Sequence, residues 1–143
     1  MMLRNKVLAG LAAWVVLAGS AALPAAAQEA TDIFGNPIVG GKELAKLVEK
    51  AQAHPLGAKE NPVRADMPGG QRAYLARLRC ADGKAPTYRR VGNFGIGVYE
   101  RIIDGYEVLC EGSTPAKSMI FMDMYHPGHK EPAAVPGFTI EPA

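Results

Sequence analysis

Residues 98–126 read VYERIIDGYEVLCEGSTPAKSMIFMDMYH, and the two halves carry different patterns. In the first half, Ile102, Tyr106, Val108 and Cys110 share even positions, while Arg101, Glu107 and Glu111 hold odd ones. Successive side chains of an extended chain point to opposite faces, so 98–111 is expected to be a strand with one dry face and one wet face. In the second half, Ile120, Met122 and Met124 lie opposite Met119, Phe121 and Tyr125. A segment that is apolar on both faces suits a strand inside a sheet, here over 117–126.

On the N-terminal side of this pair the period changes. From Lys42 to His54, Leu44, Leu47, Val48 and Ala51 recur at helical spacing, with Lys42, Glu43, Lys46, Glu49 and Lys50 around the other side. That is an amphipathic helix, preceded by Gly40-Gly41 and stopped by Pro55, which pushes His54 out of the helical region. Asn61 to Met67 is a short strand, ended by Pro68-Gly69-Gly70. Gln71 to Cys80 fits two templates, because Tyr74, Ala76, Leu78 and Cys80 alternate while Tyr74, Leu75 and Leu78 also share a helical face. The alternation favours a strand there. Gly92 to Gly97 (GNFGIG) lacks the lysine and Ser/Thr of a phosphate-cradling loop, so it is expected to be a glycine-rich turn before the strand at Val98. The tail from Pro127 to Ala143 has prolines at 127, 132, 136 and 142, so regular structure is not expected before Phe138 to Ile140. The sum is an α+β domain over 40–143, with one N-terminal amphipathic helix packed on a small, mainly antiparallel sheet. The strands are too few for the smallest outer-membrane barrel.

The two cysteines, Cys80 and Cys110, are expected to lie on neighbouring strands and to form a disulfide that staples this domain. Closing a loop of that length stabilises a fold by about 3 to 4 kcal/mol through the unfolded state. The oxidising compartment that this needs is implied by residues 1–27. Arg4 and Lys6 precede an apolar run at 7–18 (VLAGLAAWVVLA), and Pro24-Ala25-Ala26-Ala27 supplies an A-x-A cleavage pattern. The apolar stretch can be extended to residue 23, near the lower limit of a membrane span, but Gly10, Gly19, Ser20 and the small-residue tail favour cleavage. No lipoprotein cysteine follows, so a secreted or periplasmic protein of the cell envelope is expected, not integral to the membrane, with residues 28–39 (QEATDIFGNPIV) as a loose lead-in.

Sixteen Lys and Arg stand against 14 Asp and Glu, and two of the bases, Arg4 and Lys6, lie in the leader, so the mature chain is balanced. Nonspecific binding to nucleic acid calls for a basic excess, and no nucleic-acid partner is expected. Residues 64–101 nevertheless carry eight bases against three acids, and 102–143 carry two against six. Either the two halves pair across the fold, the ordinary fate of such charges, or Arg72, Arg77, Arg79, Arg89 and Arg90 form a patch for an anionic partner.

Chemistry is concentrated in Asp123-Met124-Tyr125-His126-Pro127-Gly128-His129, where a carboxylate and two imidazoles could bind zinc or copper. On a straight strand Asp123 and His126 face opposite ways, so they converge only if the chain bends near Tyr125. The competing reading makes Asp123 a turn cap and the histidines hydrogen-bonded or surface residues. Met119, Met122 and Met124 add thioethers, but methionines at that spacing pack cores readily. Serine occurs after the leader only at 113 and 118, outside any nucleophile-elbow pattern. The leading expectation is therefore a noncatalytic, cofactor-free binding or structural protein with an unidentified protein or small-molecule partner. A metal-binding protein using Asp123, His126 and His129 comes second. A small hydrolase comes third, and it would need a cleft holding a perturbed carboxylate or histidine.

Overall fold

The computed structural model describes Thr31 and residues 39–143. The leader expected at 1–27 and most of the 28–39 lead-in lie outside the described residues. The chain runs α1 (Gly41–Ala51), β1 (Val63–Asp66), α2 (Met67–Arg77), β2 (Leu78–Arg79), β3 (Thr87–Ile96), β4 (Ile102–Leu109), β5 (Lys117–Asp123), β6 (Tyr125–Lys130) and β7 (Thr139–Ile140). Five strands form one sheet in the order β3-β4-β5-β1-β6, and β2 pairs with β7 in a separate small sheet. Among the described strands only the β1–β5 pairing is parallel. The class is α+β, as the sequence patterns lead one to expect. No helix among the described residues is long and apolar enough to cross a membrane.

The strands expected at 98–111 and 117–126 appear, shortened, as β4 and β5, paired from Ile103↔Asp123 to Leu109↔Lys117; residues 98–101 form the turn before β4, and Tyr125 and His126 begin β6. Tyr106 and Val108 of β4 and Ile120 and Met122 of β5 share the inner face with Val63 of β1. Tyr74, Leu75 and Leu78 cover that face, and Val135 of the C-terminal segment closes the core. Ala51, the last apolar residue of the α1 stripe, is fully buried.

Four expectations are corrected. Residues 71–77 are helical, because Gln71, Tyr74, Leu75 and Leu78 are all buried and their spacing is that of a helix face laid on a sheet. Pro68 sits in the first turn of α2, where its missing N–H costs nothing. Gly92 to Ile96 are strand, with register shifts near Gly92 and between Asn93 and Ile96 that bend β3 against β4. The turn comes later, where Gly97 N–H donates to Arg101 C=O at 2.7 Å. Pro127-Gly128 lies inside β6, which the edge of a sheet allows because the outward side of an edge strand makes no ladder bonds. Cys80 and Cys110 do not lie on neighbouring strands. They follow β2 and β4, with Cα atoms 5.7 Å apart, and their disulfide joins the small sheet to the large one.

Most of these arginines bond to the acidic half. Arg79 bonds Glu141, Arg89 bonds Glu107, and Arg90 bonds Asp104 at 2.6 Å. Arg77 donates to the Glu131 and Glu141 carbonyls at 2.7 and 2.9 Å. Three of the five arginines weighed as a patch are thus matched by carboxylates and Arg77 by backbone carbonyls, while Arg72 is exposed on α2, which favours charge pairing across the fold over a patch.

Candidate functional site

Two features meet where β1, α2 and β6 come together. The first is a cleft of about 380 Å3. Ala65 of β1 and Gly70, Ala73 and Tyr74 of α2 form an apolar wall, and Arg64, His129 and Lys130 bring polar groups to it. The cleft exists because the first turns of α2 carry small residues. A methyl group added at Gly70 would lie against Asp66 Cβ at 3.5 Å, whereas one added at Gly69 would meet nothing. Tyr74 anchors the wall. Its hydroxyl donates to the Ala133 carbonyl at 3.0 Å and accepts the Val135 N–H at 3.1 Å, and burial pushes its pKa up. No serine, threonine or cysteine lines the cleft.

The second feature is a cluster of ionisable groups behind His129. β5 ends at Asp123, whose Oδ1 accepts the Tyr125 N–H at 2.9 Å and turns the chain through Met124 into β6. This is the bend that convergence requires, and it brings His126 Nε2 to 3.5 Å from the same oxygen. Asp123 thus acts as the turn cap of the competing reading and also as a neighbour of His126. Tyr99, from the turn between β3 and β4, sets its ring edge-on to His126 with centroids 5.0 Å apart. His129 lies beyond, its ring centroid 6.4 Å from that of His126.

Glu131 holds His129 in place. Its Oε2 is 3.2 Å from His129 Nε2 and 3.9 Å from the Arg64 guanidinium, and its Oε1 accepts the Ala133 N–H. Burial pushes the His129 pKa below the ordinary imidazole value, against the opposing pull of Glu131, and burial pushes Tyr99 up. Asp123 is wholly buried and His126 is 6% exposed. Nevertheless Asp123 Oδ2 and both ring nitrogens of His126 are buried without a hydrogen-bond partner. An orphaned buried polar group costs about 1 to 3 kcal/mol, so three in contact form an unusual concentration.

Of the three residues singled out in the sequence, the fold brings Asp123 and His126 together and places His129 next to them, turned toward Glu131. Among the described residues, no three histidine, cysteine, aspartate or glutamate side chains converge closely enough to hold a metal ion as they stand. Sequence reasoning missed Arg64, Tyr99 and Glu131. Glu131 had a faint signal in its spacing of two from His129, whereas Arg64 and Tyr99 arrive from distant strands.

A second concavity of about 320 Å3 lies between the end of α1 and the β3–β4 turn. Beside it Lys59 Nζ sits over the rings of Phe94 and Phe121, 5.1 and 5.3 Å from their centroids. Comparison with models of known protein families, with curated proteins and with solved structures finds no match to this chain.

Proposed function

We propose that this protein is an exported, noncatalytic binding domain of the cell envelope that captures a small molecule in the cleft between α2, β1 and β6. The cleft itself carries the reading: the surface it exposes is mostly apolar, charged side chains from β1, α2 and β6 border that surface, and no serine, threonine or cysteine lines it. The disulfide and the leader-like residues 1–27 support an oxidising compartment.

The test begins with native mass spectrometry of protein purified from an exporting host, followed by calorimetry with a panel of small amphiphilic molecules. A co-purifying or titrated ligand is expected, and Ala73→Phe, which fills the cleft from an exposed position on α2, is expected to abolish its binding while leaving the circular dichroism spectrum unchanged. Binding that survives in Ala73→Phe, or no ligand from either source, would overturn the reading.

His129 keeps the hydrolase reading in play, since it is a histidine with a lowered pKa lining the cleft beside a carboxylate. Turnover of activated esters that disappears in His129→Gln would favour that reading over simple capture.

A further inference from the structure

We infer that the small molecule captured between α2, β1 and β6 carries a single oxyanion, a carboxylate or a phosphate, which the guanidinium of Arg64 grips while the apolar body of the molecule lies on Ala65, Ala73 and Tyr74. The inference rests on capture in that cleft and names the chemistry of what is captured.

Arg64 carries the argument. Its side chain, on β1, is only 22% exposed, and an arginine held that far from water ordinarily spends its N–H donors on protein oxygens. Among the described residues it makes one ion pair, to Glu131 Oε2 at 3.9 Å, which is beyond hydrogen-bond reach. Glu131 has little left to give, since its Oε1 accepts the Ala133 N–H and its Oε2 faces His129 Nε2 at 3.2 Å. Asp66, exposed two residues along the same strand, does not pair with it. Unlike the ring nitrogens of His126, the guanidinium nitrogens are not sealed from solvent, so their fork is open to a molecule in the cleft. A planar fork of N–H donors matches a carboxylate or a phosphate at two points.

The neighbouring charges have the same sign. Arg77 lies 5.8 Å over the Tyr74 ring and spends its terminal nitrogens on the Glu131 and Glu141 backbone carbonyls, which are neutral acceptors, so no carboxylate cancels its charge. Lys130, on the edge strand β6, is exposed and pairs with no carboxylate among the described residues. Beside a mostly apolar surface such charges are screened less than in open water. A bound cation would be repelled there. A neutral amphiphile would cover the Arg64 donors without pairing them, and unpaired covered donors cost affinity.

The experiment titrates the full-length protein by calorimetry with probes that share one chain and differ in head group: octanoate, octyl phosphate, octanamide and octylammonium. Octanoate or octyl phosphate is expected to bind, the tighter of the two naming the head group, with octanamide weaker by roughly 10- to 100-fold and octylammonium undetected. Arg64→Gln is expected to bring the anionic probes down to the octanamide level while octanamide itself binds as before, a pattern that loss of structure does not produce. Arg64→Lys, which keeps the charge without the fork, is expected to recover only part of the difference. Should Arg64→Gln fail to fold, the ranking of the probes on the native protein carries the test alone. Equal affinity for all the probes, a preference for octylammonium, or an anion preference unchanged in folded Arg64→Gln would overturn the inference. Capture in the cleft would still stand in those cases if Ala73→Phe abolished the binding. If neither these probes nor any other molecule binds, capture itself falls and takes this inference with it.

Discussion

Tyr106 donates its hydroxyl proton to Gln71 Oε1 at 3.0 Å in the buried layer between β4 and α2, while Gln71 Nε2 has no partner. Gln71 is therefore half satisfied, and losing the tyrosine hydroxyl would orphan both ends of its amide. Tyr106→Phe is expected to destabilise the fold by about 1 to 2 kcal/mol in urea unfolding, whereas adding Gln71→Leu recovers most of the loss, because replacing both partners with apolar groups is close to neutral. A double-mutant cycle with no coupling between the two sites would contradict this account. The same glutamine explains a misreading. Counted as polar, it breaks the stripe formed by Tyr74, Leu75 and Leu78, and strand-like alternation then competes with the helix. Counted as buried, it completes the helical face. At the candidate site, Asp123, His126 and His129 were legible because they are neighbours in sequence. Arg64 and Tyr99 were not, because chain reversal and sheet register bring them there, and Glu131 offered only its spacing of two from His129.

Strands β4 and β5 were readable because each has a face to bury, and binary pattern records burial. Strand β3 has almost none: nearly all its residues are exposed, so it has no alternation to detect and is held by its backbone ladder with β4. Its side chains contribute through charge. Glu107 on β4 accepts Arg89 of β3 at 2.8 Å and also pairs with Lys117 of β5, so one carboxylate ties three strands together. Lys117 first, and then Arg89, hold the Glu107 pKa below the usual carboxylate value. A carboxylate with a lowered folded-state pKa contributes stability that is present above its unfolded pKa and is lost as pH falls through the folded value. Stability is thus expected to decline below about pH 4.5 with a component that Glu107→Gln removes, seen as a shallower acid limb in thermal melts. At the other end of the β3–β4 hairpin, Glu100 adopts φ 61°, the left-handed region that glycine occupies without strain. Its side chain is exposed, so Glu100→Gly is expected to raise stability by about 0.5 to 1 kcal/mol, read as a higher Tm.

The two sheets share the core around Leu75, Leu78 and Val108, and beyond the backbone itself the Cys80–Cys110 disulfide cross-links them. A Cys80→Ala/Cys110→Ala variant is expected to lose about 3 to 4 kcal/mol and to melt roughly 15 to 25 °C lower. Limited proteolysis should then cut first near β2 and β7, since this short pair has little of its own to hold it.

The place of β1 has a consequence in time. It lies between β5 and β6, and Val63 meets Met122 while Ala65 meets Lys130. Every partner of this strand is thus synthesised long after it. A chain that emerges N-terminus first presents β1 and α2 with no sheet to join, and the large sheet cannot close around its parallel pair until residue 130 has followed. Such late, long-range pairing makes for slow folding. A chain held unfolded until its last strands arrive is also one that can be threaded across a membrane before it folds.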